Sequence, residues 1–281
     1  MESFLPIGLV LLLILAAEFV NGWTDAPNAI ATVVSTRVLT PHQALGLATV
    51  LNVLGTMSGT AVAATIGKGI VRPEVIGLAT VAAAMVAIVF WSTLAWYYGL
   101  PTSESHALIA GLSGAGLATA GTGVLLWDGW RKVLIGLLFS TFLGFLGGLL
   151  LMLCIYRVFA RARPGMVRRA FGRLQVLSAA FMAFSHGSND GQKFIGAFTL
   201  ALVLGGVLPE FRVPVWVILL CALTMGLGTA VGGWRIVKTL GLRLTKLEPV
   251  HGFAAETAAA SAIELASRLG IPVSTTHTIG T

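Results

Sequence analysis

Long apolar runs set the rhythm of this chain. Leu5–Ala17, Val75–Tyr97, Val133–Tyr156 and Val213–Val231 are almost free of charge. At about 1.5 Å of rise per residue, each is long enough, or nearly so, to cross about 30 Å of hydrocarbon as a helix. The short alternating segments of a membrane β-barrel are missing, so the pattern predicts an all-α polytopic membrane protein. Spans are expected over residues 5–36, 43–66, 75–98, 101–126, 131–156, 174–208, 214–233 and 250–268. Composition agrees. Of 281 residues, 56% are hydrophobic and 10% charged, where soluble domains carry roughly 25% charged residues. The opening MESFLPIGLVLLLILAAEF has no basic region ahead of its apolar stretch and no clear small-residue cleavage site, and reads as the first span.

The net charge of +7 raises the question of a polyanionic partner. The basic residues lie between spans, above all in Tyr156–Arg173, which holds six arginines and no acid. Cytoplasmic loops collect such charges beside anionic lipid, so a bilayer, and no nucleic acid, is the expected partner. With that loop inside, the N-terminus lies outside. Arg37, the six arginines, Arg235, Lys238, Arg243 and Lys246 fall inside, against Lys68, Arg72, Arg131, Lys132, Arg212 and Arg268 outside. Cys154 and Cys221 both fall in apolar runs without metal-ligand spacing and read as buried thiols.

Polar residues interrupt the apolar pattern twice, in related ways. FVNGWTDAPNAI from Phe19 aligns with FSHGSNDGQKFI from Phe184, GTAV occurs at Gly59–Val62 and at Gly228–Val231, and GLPTSESH from Gly99 aligns with GIPVSTTH from Gly270. The order is the same and the offset is 165 to 171 residues. One copy spans the membrane five times, an odd number, so the second copy enters from the opposite side. Such inverted repeats are a recurring plan of secondary transporters, whose sites lie near the midplane at the repeat interface. Residues 1–156 form the first repeat, 157–173 a basic cytoplasmic loop and 174–281 the second repeat. Gly22 and Pro27 are expected to break the first motif helix, and Gly187 and Gly191 its partner, because irregular backbone at membrane depth is tolerated where it lines a cavity.

An intramembrane aspartate is expensive and points to function. Asp25 and Asp190 suit a hard cation or a proton. Asn21, Thr24 and Asn28 are the oxygen ligands expected around the first, and Ser188, Asn189 and Gln192 around the second. The plainer alternative is that the aspartates cap half-helices or pair with Lys193. PTSESHALIAG and PVSTTHTIGT read as helix starts, with proline in the first turn and hydroxyls behind it. Helix N-termini bind anions. Two of them, facing each other, form a clamp for a tetrahedral oxyanion, with Ser103, Ser105, Ser274, Thr275 and Thr276 as hydroxyl donors, Thr102 beside them, and His106 and His277 as donors or orienting groups. Ordinary capping without a ligand is the alternative. Glu104 is expected to face away from the anion or to pair with a cation. Asn52, Glu18 and Glu256 are read as helix–helix hydrogen-bond partners. A hydrolase triad of Ser103, His106 and Asp25 is the reading from another class; an inverted second copy gives it no support.

These residues closely resemble the inorganic phosphate transporter (PiT) family over essentially the whole chain. The family's duplicated G-x-N-D-x-x-N signature stands here as GWTDAPN and GSNDGQK, and its paired P-x-S-x-x-H segments as Pro101–His106 and Pro272–His277. The resemblance implies a symporter, not an enzyme, in the plasma (inner) membrane. It would carry inorganic phosphate with sodium or protons and hold no other cofactor; a sulfate transporter of the same architecture is the rival, and homo-oligomer formation stays open. In a sodium-coupled protein Asp25 and Asp190 would hold the metal ion. Thr24 and Lys193 depart from the signature, which implies unequal cation sites. Family members continue for at least one further span beyond Thr281, so a truncated second repeat is expected.

Overall fold

A computed structural model describes residues 4–240 and 247–281; the expected inside charges Arg243 and Lys246 lie outside the described residues. Those residues form an all-helical bundle: α1 (Phe4–Ser35), α2 (Pro41–Thr56), α3 (Ala61–Gly69), α4 (Leu78–Tyr98), α5 (Glu104–Ala120), α6 (Trp127–Val158), α7 (Pro164–Leu204), α8 (Val215–Val231), α9 (Trp234–Lys238), α10 (Pro249–Arg268) and α11 (Thr275–Gly280). Among the described residues there is no strand, only an isolated bridge between Val71 and Leu125.

Among the described residues three helices are long and apolar enough to cross a membrane: Pro6–Ser35, Leu78–Tyr98 and Trp127–Val158. A fourth crossing results if α2 and α3, which meet at 67°, count as one bent span. The bundle is apolar on its outside. Leu138, Phe139, Phe142, Phe145 and Leu150 of α6 and Phe90, Trp91 and Tyr98 of α4 are all more than half exposed. Polar groups turn inward, as expected when the solvent is lipid. Every residue of α7 from Ser185 to Leu202 is buried, the motif positions included. A helix enclosed in this way need not be apolar.

Several boundaries differ from those read in the sequence. α1 and α7 run without interruption through Gly22, Pro27, Gly187 and Gly191, so the expected breaks are absent. Proline inside a helix removes one hydrogen bond without ending it when packing holds the rest. The break falls instead between α2 and α3, at residues 57–60. The basic segment is mostly helical: α6 ends at Val158 and α7 starts at Pro164, leaving only 159–163 as a connection. The span expected over 101–126 ends at Ala120, followed by a short turn of 3₁₀-helix at Thr122–Val124. Cys221 is buried as expected, but Cys154 is exposed on the outer face of α6.

The glycines of the motifs serve close helix approach. A Cβ on Gly22 would strike the Met225 carbonyl of α8, and one on Gly187 the Asn52 carbonyl of α2. Gly228 lies against Phe19 O and Trp23 N, and Gly55 lies against Phe184 O and Ser188 N. The same contact is thus made twice, and it matches Gly55–Thr56 with Gly228–Thr229. The GTAV alignment of the sequence is therefore one helical turn out of register. α1 packs on α8 and α4, and α7 on α2 and α10. Gly187→Ala is expected to lower stability by about 1–3 kcal/mol, as for other overpacked sites. A thermal melt in detergent checks this, with Gly8→Ala, where a Cβ meets nothing within 4 Å, as the neutral comparison.

Candidate functional site

Two hairpins of one design bring the helix starts into the bundle. α4 ends on Gly99 (φ 68°) and α10 ends before Gly270 (φ 66°), left-handed turns that favour glycine. Proline follows two residues later in both, and Ser103 and Ser274 then cap α5 and α11. The prolines stand two positions ahead of the caps, outside the first turn where the sequence placed them. Ser103 Oγ accepts from His106 N (3.3 Å), and Ser274 Oγ from His277 N (3.2 Å). The His106 and His277 rings meet at 5.1 Å between centroids. Both rings, with Thr102, Ser103 and Thr276, line a cavity of about 760 Å³, with Trp91 and Leu240 also in its wall.

The expected anion donors differ in what they already hold. Ser105 donates to Val273 O (2.8 Å), Thr276 to Thr102 O (3.0 Å) and Thr275 to Asp190 Oδ2 (3.1 Å). These three hydroxyls hold the two hairpins to each other and to α7, and only Thr276 also lines the cavity. Ser274 Oγ lies 2.8 Å from His277 Nδ1. Ser103 accepts as a cap yet keeps its own hydrogen for a ligand.

Behind the caps lies a buried polar cluster. Asp25 of α1 and His186 and Asp190 of α7 each offer one ligand atom, all within 4.8 Å of one another. His186 Nδ1 is 2.9 Å from Asn52 Oδ1, while Asn52 Nδ2 donates to Thr229 Oγ1 (3.1 Å). That arrangement places the imidazole hydrogen on Nδ1 and leaves Nε2 as an acceptor, 3.5 Å from Asp190 Oδ2. His186 Nε2 and Asp25 Oδ2 are acceptors without donors, set beside the Asp190 carboxylate, the chemistry of a cation or proton site. The sequence reading passed over His186. Its signal was present: it stands four residues before Asp190, on the same face of α7.

The other expected cation ligands are divided. Asn21 is fully buried with neither amide atom bonded, and Asp25 Oδ2 is also unbonded. Thr24 Oγ1 is 2.9 Å from Glu104 Oε1, and Asn28 Nδ2 donates to Thr276 Oγ1 (2.9 Å). Asn189 ties α7 to the α10–α11 connection, donating to Ser267 Oγ and accepting from Val273 N. Gln192 Oε1 accepts Val62 N and caps α3, and Ser188 Oγ meets Ser58 Oγ. Asn189, Gln192 and Ser188 therefore brace helices around the cluster. Glu104 turns toward α1 and α4, bonded by Thr24 and by Ser92 Oγ, away from the cavity as expected. Asn52 is a helix–helix partner, and so is Glu256, which accepts from Thr32, Ser178 and Gln175. Glu18 is not: both carboxylate oxygens are buried without a partner. Lys193 Nζ pairs with Asp190 Oδ1.

A profile of the phosphate transporter family matches residues 21–281. The chain belongs to the phosphate transporter family. A protein of Bacillus subtilis described as "Probable low-affinity inorganic phosphate transporter" is 40% identical over 274 residues, covering 96% of this chain and 82% of its own length. One of Rhizobium meliloti with the same description is 44% identical over 264 residues, 93% of this chain and 79% of that protein. A solved structure described as "The sodium-dependent phosphate transporter" shares the fold with a TM-score of 0.86 at 24% identity, covering 98% of this chain and 87% of that one. Membership in a transporter family, with the apolar helices, makes this a membrane protein and sets aside the hydrolase triad. In the triad's place, Ser103 meets the backbone N–H of His106.

Proposed function

We propose that this protein is a symporter that imports inorganic phosphate across the plasma membrane, driven by a sodium or proton gradient. The observation that carries the reading is the meeting of two hydroxyl-capped helix starts, which together line one large cavity through Ser103, His106, Thr276 and His277 and reach the Asp25–His186–Asp190 cluster through the Thr275–Asp190 bond. The anion sits between the N-terminal ends of α5 and α11, with Ser103, Ser274, Thr276, His106 and His277 around it, and Ser105 and Thr275 supporting from behind. The coupling cation sits at Asp25 and neutralises part of the anion's charge.

Contacts that exchange the two halves support an inverted-repeat architecture over 1–156 and 174–281. Ser105 reaches Val273 O as Thr276 reaches Thr102 O, and Lys193 reaches Ser105 as Asn28 reaches Thr276. Each pair is related by the sequence offsets of the repeat. On α9, Arg235 donates to Tyr97 O and stacks on Trp96 and Tyr97. Aromatic and basic anchors of this kind mark a membrane interface, here the cytoplasmic one. Cysteine introduced at Arg161, between α6 and α7, should resist impermeant maleimide added outside whole cells and react after lysis; labelling from outside would overturn the orientation.

Phosphate fits better than sulfate for a chemical reason. At neutral pH phosphate retains an O–H that a ring nitrogen of His106 or His277 can accept, whereas sulfate offers acceptors alone. Uptake of ³²P-phosphate into proteoliposomes under separately imposed sodium and proton gradients tests the function and identifies the driving ion. Competition by sulfate at concentrations similar to phosphate would favour the rival anion. No uptake under either gradient would end the proposal.

A further inference from the structure

The two halves treat their polar cluster differently, and the charge difference between them lies in one side chain. Lys193 stands where the first half has Asn28. It is 1% exposed, among the largest fully buried side chains. Its ammonium meets Asp190 Oδ1, Ser105 Oγ and the Val273 carbonyl. These are a carboxylate, a hydroxyl and a backbone carbonyl, the oxygen set that a monovalent cation takes in a transporter. An ammonium has three N–H donors and no acceptor. All three are engaged with protein, so Lys193 has none left for the anion.

Among the described residues no side-chain cation takes the corresponding place in the first half. Asn28 is neutral and bonds Thr276. On α1 the residues Glu18, Asn21 and Asp25 are spaced so that they share a face. All three are at most 3% exposed, and five of their polar atoms lack a partner: both oxygens of Glu18, both amide atoms of Asn21 and Asp25 Oδ2. In the second half the equivalents of Asn21 and Asp25 are His186 and Asp190, bonded by Asn52, and by Lys193 and Thr275. The asymmetry follows from sequence. The structural counterpart of Asn52 is Met225, which gives Asn21 no oxygen or amide to pair with.

We propose that the Lys193 ammonium is a tethered cation filling the second half-site, so that one exchangeable coupling cation, held by Glu18, Asn21 and Asp25, is carried where the symmetric plan would carry two. The proposal rests on the transport function proposed above and deepens its cation coupling. A buried carboxylate must be neutralised in either half. In the second half the neutralising charge is part of the chain and cannot leave with the substrate.

The test uses the full chain in proteoliposomes. Lys193→Asn restores the first-half residue type and opens the second half-site. The order of phosphate uptake in external sodium should then rise by about one relative to wild type, and purified Lys193→Asn should bind about one more ²²Na⁺ than wild type. Lys193→Met, neutral but without an oxygen, should gain no sodium. Asn28→Lys, the converse change, should lower the sodium order or abolish sodium dependence; it keeps the proposal testable if Lys193→Asn proves poorly folded. Glu18→Gln should raise the sodium concentration for half-maximal binding by about tenfold. Wild-type sodium order and ²²Na⁺ binding in both Lys193→Asn and Asn28→Lys would overturn the proposal. Absence of phosphate uptake by wild type would instead defeat the transport function, and the ²²Na⁺ binding difference would still decide whether Lys193 is the tethered cation.

Discussion

Asp190→Asn is expected to leave little folded protein, whereas Asp25→Asn folds normally and loses cation-driven phosphate uptake. The two aspartates occupy matching places in the repeat, so the sequence alone gives them equal weight. Their surroundings do not. Asp190 is the carboxylate partner of the buried Lys193 and also accepts from Thr275. Removing one member of a buried ion pair leaves an uncompensated charge and costs about 3–5 kcal/mol. That is a large share of the roughly 5–15 kcal/mol that keeps a typical domain folded. Asp25 has an unbonded carboxylate oxygen and no lysine beside it in the matching position. Its replacement by the isosteric amide removes no ion pair, only the charge that a co-bound cation needs. Size-exclusion yield and a melting curve report the first effect. Uptake per folded protein, lower by at least about tenfold, reports the second. The double variant Asp190→Asn/Lys193→Met should recover folding without recovering transport. Normal uptake by Asp25→Asn would take this carboxylate out of coupling.

Much of the fold was legible because lipid imposes a coarse pattern. Apolar stretches located α1, α4, α6, α8 and α10, and the proline-led segments located the starts of α5 and α11 to within a few residues. The motif alignment at 165 residues brought Asp25 and Asp190 to the same cluster. What failed were inferences from single residue types. Glycine and proline in GWTDAPN were read as breaks, yet the glycines let α1 and α7 approach the backbones of α8 and α2, and the helix absorbs Pro27. The actual bend at 57–60 lies in Met-Ser-Gly-Thr, a stretch with weak breaker signals. Side-chain division of labour was also hidden. Asn189 and Gln192 carry the right oxygens for a cation, but their partners lie at Ser267, Val273 and Val62, tens of residues distant in sequence. Glu18 went the other way. It was read as a helix–helix partner because most buried carboxylates find a donor, and here no donor reaches it.

The anion clamp predicts that Ser103→Ala raises the phosphate concentration for half-maximal uptake by about ten- to a hundredfold, and that Ser274→Ala raises it less. Hydrogen bonds to a charged group contribute roughly 1.5–3 kcal/mol each, which is that range of affinity. Ser103 and Ser274 hold equivalent positions, each accepting from the N–H three residues on. The hydrogen of Ser103 is free, while Ser274 Oγ already faces His277 Nδ1 at 2.8 Å. Turning the Ser274 hydroxyl to a ligand therefore gives up an existing contact, and its net contribution is smaller. Both substitutions also remove a helix cap, at about 0.5–2 kcal/mol of stability. That loss reduces the amount of folded protein without changing affinity in what remains, so uptake must be normalised to folded protein. Thr119→Ala serves as the comparison, because Thr119 bonds Thr80 and Ala115 O, far along α5 from the cap. Lower yield with unchanged affinity at both serines would mean that the hydroxyls only cap, and the anion would then have to be held by groups other than these two helix starts. A larger effect at Ser274 than at Ser103 would show that the His277 contact gives way to the ligand without cost, with the second hairpin as the dominant half of the clamp.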